Sequence, residues 1–286
     1  MKTQKRNKGF TLVELAIVLV IVGLLVGGVL QGQELIAQAQ IRSVVSQIQS
    51  LDTSLNTFRA KYREYPGDIT RASAFGINCP RTGTACSGST DNVADTDSDA
   101  GADGADGDGD GDYNLEDSDN TVATTAAYDT YEGEIANFWV HLSNTLLVKG
   151  NFTQVDDCGT SACVGAAGTN FPDTPIGNGI IALTEFGRLY WILGVGASSV
   201  DLDGGAADAD SPTAQQLTPE EAYGIDSKID DGRPETGISQ AISAFNATAG
   251  VFTLDTTSGN GCFTVAGAYA LATNAKRCTI RVRASG

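Results

Sequence analysis

From Phe10 to Leu30 the chain is almost uniformly apolar, and from Ile36 to Tyr62 the apolar positions thin to a stripe at three- and four-residue steps. The first segment is long enough, at about 20 residues, to cross a bilayer as a helix. The second sets Ile36, Ile41, Val44, Val45, Ile48, Leu51, Leu55, Phe58 and Tyr62 among Gln, Ser, Asp and Arg. That spacing predicts an amphipathic helix with one face packed on a globular head. The segments run into each other without a break, so residues 11–62 predict one rod about 78 Å long at 1.5 Å per residue. Tyr65-Pro66-Gly67-Asp68 ends it, because the residue before a proline is pushed out of the helical region.

Glu14 interrupts the apolar run, and a charge inside a membrane span costs roughly 2.5 to 3.5 kcal/mol unless it is paired. No cation lies between Phe10 and Leu30. The nearest candidate is an α-amino group made at Phe10 by cutting after Gly9, supplied by the same chain or by a neighbouring copy. Lys8-Gly9-Phe10-Thr11-Leu12-Val13-Glu14-Leu15 resembles the processing site of type IV prepilins and of the related pseudopilins of type II secretion. The resemblance implies cleavage between Gly9 and Phe10 by prepilin peptidase, N-methylation of Phe10, and pairing of Glu14 with a neighbour's new amino terminus during assembly. It also implies an inner-membrane assembly platform with an ATPase motor as partners, and a second copy of the chain above all. A secretory leader differs in placing its cleavage site after the apolar region. Lys2, Lys5, Arg6 and Lys8 precede the span, which keeps residues 1–9 cytoplasmic and sends the remainder outward. Gly23, Gly27, Gly28 and Gly32 each weaken helix by about 1 kcal/mol relative to Ala, which predicts local unwinding in the filament.

Beyond Pro66 the pattern changes to short elements. Residues 148–153, 179–183, 188–193, 251–254, 263–265 and 279–282 predict strands between Gly, Asp and Asn turns, and residues 132–147 and 219–229 predict helices. Thr218 as N-cap, Pro219 at the first helical position and Glu221 two residues on open the second helix. Tyr65-Pro66-Gly67-Asp68, Gly109-Asp110-Gly111, Phe138-Trp139-Val140-His141-Leu142 and the segment from Ile225 to Pro234 resemble blocks of larger pilin-like proteins. The fold class is α+β: a long N-terminal helix, half transmembrane and half amphipathic, packed on an antiparallel sheet. The organisation is a cleaved leader at 1–9, a membrane and filament-core helix at 10–30, the amphipathic half at 31–65, and a head at 66–286 with an acidic insert at 91–120.

The formal net charge of −17 disfavours nucleic-acid binding by bulk charge and suits an exported body. Between Asp91 and Asn120 there are eleven Asp and one Glu with no Lys or Arg, so one insert dominates the electrostatics. Asp106, Asp108, Asp110 and Asp112, with Gly111 and then Asp117, follow the first half of an EF-hand-type loop, in which alternate carboxylates converge on calcium. The second half departs from it, with Asp117 where a glutamate belongs and no amphipathic helix before the loop. A solvated, disordered insert is the competing reading. Asp201-Leu202-Asp203-Gly204, with Asp208 and Asp210, is a weaker cation candidate, and Asp226, Asp230 and Asp231 read as capping the turn at Gly232-Arg233-Pro234 rather than as metal ligands.

Six cysteines come as close pairs, Cys79 with Cys86, Cys158 with Cys163 and Cys262 with Cys278, and an oxidising compartment favours disulfides, although six thiols allow 15 connectivities. Enzymatic chemistry finds no footing: His141, the single histidine, sits in an apolar helical stretch, Trp139, Trp191 and Phe186 read as core, and no phosphate loop, dinucleotide fingerprint or zinc helix occurs. The reading is therefore a structural subunit of a type IV pilus, made in the bacterial inner membrane and polymerised into an extracellular fibre for adhesion or motility. The alternatives are a type II secretion pseudopilin and a membrane-anchored calcium-binding envelope protein.

Overall fold

The computed structural model describes residues 12–69, 72, 75, 77, 113, 115, 133–153, 165–185, 187–195, 216–246, 251–254, 261–264 and 267–285. Helix α1 runs unbroken over Leu12–Tyr62, 51 residues, about 77 Å at 1.5 Å per residue. Its buried residues are Ile41, Val44, Val45, Ile48, Leu51, Ser54, Leu55, Phe58 and Tyr62, the stripe set by the three- and four-residue steps. Ile36 was expected to begin that stripe but is 61% exposed, because the head starts to cover the helix only near Ile41.

Helix α2 spans Gly133–Asn144 and helix α3 spans Pro219–Ile229. Five strands, β1 (Gly179–Glu185), β2 (Arg188–Val195), β3 (Ser239–Asn246), β4 (Val251–Leu254) and β5 (Thr279–Arg283), form one sheet in the order β1-β2-β5-β3-β4. Every pairing is antiparallel. The α+β architecture expected from the pattern is thus present, with two corrections. Residues 148–153 form no strand, and of residues 263–265 only Phe263 pairs, through an isolated bridge to Tyr269, while Val265 lies outside the described residues. Strand β3 was not foreseen, since Ser239-Gln240-Ala241 carries little of the β-branched and aromatic signal of a strand; pairing with β5 and β4 imposes it.

Trp191 on β2 is where the layers meet. It is fully buried, its ring lies 5.9 Å from Trp139 and 5.8 Å from Phe138 on α2, and its Nε1–H donates to Asp52 Oδ1 on α1 at 2.8 Å. Both tryptophans are core, as their surroundings in sequence indicated. Asp52 also fastens the chain's tail: its Oδ2 accepts from Ser285 Oγ at 2.8 Å, and Asn56 Nδ2 donates to the Ser285 carbonyl at 2.6 Å. At the far side Arg281 on β5 pairs with Glu185 on β1 at 2.6 Å, donates to Gln240 on β3 and lies 4.8 Å from the centre of the Tyr190 ring. Helix α3 packs on α1 closely enough that a Cβ at Gly224 would lie 2.6 Å from Ile41 Cδ1, which would have to turn aside.

Helix α2 stops three residues before the expected 147. Leu146 adopts a left-handed conformation at φ 58°, its N–H bonds the Ser143 carbonyl and the Leu147 N–H bonds the Leu142 carbonyl, the pattern of a helix end normally given to glycine. Leu146 is 90% exposed, so its side chain offers little packing in return for the strain. Leu146→Gly is expected to stabilise the head by about 0.5–1 kcal/mol, read as a higher midpoint in urea at unchanged slope.

Candidate functional site

Residues 12–30 of α1 are exposed without exception, the large apolar side chains ranging from Leu12 at 89% to Val22 at 48%, on every side of the helix. A helix apolar all round is stable only inside lipid or among other helices. Glu14 sits in its first turn, where the positive end of the helix dipole favours a carboxylate. Gly9 and Phe10, the predicted cleavage point and the predicted source of its partner amine, lie outside the described residues. The helix is continuous through Gly23, Gly27, Gly28 and Gly32, and a Cβ at any of the four would meet nothing within 4 Å. Nothing inside the described subunit requires glycine there.

The calcium-loop residues Asp106, Asp108, Asp110, Asp112 and Asp117 lie outside the described residues, as do Asp201, Asp203, Asp208, Asp210, Phe186, Cys79, Cys86, Cys158 and Cys163. Two residues within the insert are described and both are held: Tyr113 N–H donates to Asp68 Oδ2 at 2.8 Å, and Leu115 N–H donates to Thr184 Oγ1 at 2.7 Å. Cys262 and Cys278 form the disulfide expected from their proximity, closing a loop that carries Tyr269.

That loop meets the end of α3. The helix opens with a full capping box: Thr218 Oγ1 accepts from the Glu221 N–H and Glu221 Oε2 accepts from the Thr218 N–H. It ends in three carboxylates, Asp226, Asp230 and Asp231, each offering an oxygen within 4.8 Å of the others. Asp231 caps the turn as expected, accepting from the Arg233 N–H at 2.9 Å and the Thr236 hydroxyl at 2.7 Å, which together hold its carboxyl below the usual range. Asp230 Oδ2 accepts from the N–H groups of Ile238 and Ser239, fixing the entry to β3. Asp226 has no exposed surface; its Oδ2 accepts from the Tyr269 hydroxyl at 2.9 Å, while its Oδ1 has no hydrogen-bond partner among the described residues. Desolvation pushes its pKa up to about 6, helped by the charges of Asp231 and Asp230 and opposed by hydrogen bonding from Tyr269 and the Gly232 backbone. The Tyr269 phenol is driven up in turn, by burial first and then by Asp226. Sequence spacing showed Asp226 and Asp230 on one face; it gave no sign of Tyr269, 43 residues away.

His141 on α2 is wholly buried, the packed one of the two non-catalytic placements that its apolar stretch left open. Gly67 N–H donates to its Nδ1 at 2.9 Å, which places the proton on Nε2. Gly67 itself is at φ 92°, with the Glu134 carbonyl filling the space a Cβ would need. Burial brings the His141 pKa down to about 4.

Residues 4–30 match the family model described as the prokaryotic N-terminal methylation motif, the cleavage and methylation segment of type IV pilins and pseudopilins. No curated protein and no solved structure gives a significant match. The motif is that of a pilin-like structural subunit, not of an enzyme family, and it implies processing by prepilin peptidase and polymerisation of such subunits. The exposed apolar helix and the motif together fit a subunit anchored in a membrane before assembly.

The His141 environment has a consequence in acid. Its folded pKa lies below the unfolded value near 6.5, so the unfolded chain takes up the extra proton between about pH 6.5 and pH 4. Stability from the neutral ring is complete above about pH 6.5 and is lost as the pH falls toward 4, by on the order of 3 kcal/mol. In His141→Asn, which keeps an acceptor for Gly67, urea melts across that range are expected to show a shallower fall than wild type; parallel curves would remove the assignment.

Proposed function

We propose that this chain is a structural subunit of a type IV pilus, processed after Gly9, methylated at Phe10 and polymerised through α1 into an extracellular filament for adhesion or motility. The observation that carries the reading is the division of α1: from Ile41 onward one face is core, whereas residues 12–30 are, Glu14 apart, apolar and exposed on every side. A membrane covers that surface before assembly and neighbouring copies of α1 cover it afterwards. The open space around Gly23, Gly27, Gly28 and Gly32 suits the same arrangement, since small residues let helix backbones approach closely. In this reading Glu14 receives the methylated amine of a neighbouring Phe10, which sets the axial register of one subunit on the next. The acidic insert at 91–120 belongs on the outer surface of the fibre, where Asp106, Asp108, Asp110, Asp112 and Asp117 take calcium from the medium.

Pilus and pseudopilus use one assembly chemistry, and the fate of the product separates them. Mass spectrometry of fibres sheared from cells is expected to find abundant chain beginning at methylated Phe10; retention of that mature chain in the envelope would transfer the assignment to a secretion pseudopilin. Glu14→Ala is expected to insert and be processed normally while fibre yield falls roughly tenfold or more, because a buried pair is lost at every contact. Wild-type fibre yield from that variant would refute the pairing.

A further inference from the structure

The end of α3 is built against its own electrostatics. The carboxyl end of a helix carries partial negative charge and favours cations, and although Lys228 stands in the last turn, Asp226 shares that turn, with Asp230 at the C-cap and Asp231 next to it. None of the three carboxylates is in an ion pair with a described residue; Arg233 acts only on the outermost, Asp231. Hydrogen bonds account for Asp231 and for one oxygen of Asp230. Asp226 takes the Tyr269 hydroxyl on Oδ2 and a backbone contact from Gly232, yet its buried Oδ1 has no hydrogen-bond partner among the described residues. Ser239, whose N–H reaches Asp230 Oδ2, adds a second buried oxygen lacking a partner, its Oγ. An ionised oxygen removed from water and left unsatisfied is a standing cost that proteins remove with a donor or a cation.

We infer that Asp226, Asp230 and Asp231 hold a hard divalent cation of the calcium type. Two oxygens sharing calcium at about 2.3–2.6 Å stand no more than about 5 Å apart, and the three carboxylates already meet that limit at 4.8 Å. The ion neutralises the negative end of α3 and occupies the bare Oδ1 of Asp226. It ties three pieces of the head together: α3, the entry to β3 through Asp230, and the loop closed by Cys262 and Cys278 through Tyr269. The site is separate in sequence from the acidic insert and owes nothing to the filament reading.

The test uses the full mature chain in detergent, stripped with a chelator, with Asp106, Asp108, Asp110, Asp112 and Asp117 changed to Asn so that the proposed loop in the insert cannot contribute. Calcium at millimolar concentration is expected to raise its melting temperature by roughly 5 °C. Asp226→Asn in that chain is expected to abolish the rise. Asp231→Asn, at an exposed position that leaves the core intact, is expected to need roughly tenfold more calcium for half the effect, because one ligand charge is gone. No shift in the parent chain, a shift that survives Asp226→Asn, or an unchanged calcium midpoint in Asp231→Asn would each overturn the site. A proton shared among the carboxylates in place of a metal would give the first of these results.

Discussion

One helix must satisfy two surroundings, and the rest of the molecule follows from that constraint. Most helical stability in proteins comes from covering apolar side chains, and both halves of the 51-residue α1 carry them, so each half needs cover. The head supplies it from Ile41 onward, through α3 at Gly224 and through Trp191 at Asp52. Before Ile41 the head reaches, among the described residues, only Gln40, whose Nε2 donates to the Pro175 carbonyl at 3.2 Å, and no described residue of the helix is buried. The incompleteness is local and has a sharp edge, Ile36 at 61% exposed and Ile41 at 3%. An edge of this kind separates a folding surface from an association surface in a single uninterrupted element.

The head is organised to grip that rod from several directions. Asp52 is central to the grip, since one carboxylate on α1 takes the Trp191 indole from the middle of the sheet and the Ser285 hydroxyl from the tail. Asn56, one turn further, takes the Ser285 carbonyl. Each is a hydrogen bond worth about 1 kcal/mol alone, but they bridge more than 130 residues of sequence and converge within two turns of helix. The Arg281–Glu185 pair does the same service across the sheet, linking β5 to a strand that is not its neighbour.

Legibility in the sequence tracked the range of the determining interaction. The stripe from Ile41 to Tyr62, the capping box at Thr218 and Glu221, and strands β1, β2, β4 and β5 are each set by residues within a turn or a strand length of one another, and each was readable. Strand β3 was not, because Ser239-Gln240-Ala241 becomes a strand only by lying between two others. The early end of α2 hinged on one leucine adopting a conformation usual for glycine, which no spacing reveals. At the end of α3 the spacing of Asp226 and Asp230 was plain, while the burial of Asp226 and its bond to Tyr269 depend on a loop brought in by a disulfide. The motif at residues 4–30 is the extreme local case, recognisable from a few contiguous side chains.

The placement of β5 has a bearing on how the protein is made. The last strand in the chain lies in the interior of the sheet, with β2 on one side and β3 on the other. Until residues 279–283 have emerged, β2 and β3 have no common neighbour, and the sheet exists only as two detached hairpins. The two hairpins, β1 with β2 and β3 with β4, can each form from neighbouring sequence, but they join into one surface only through β5, so closing the head depends on pairings that span long stretches of chain.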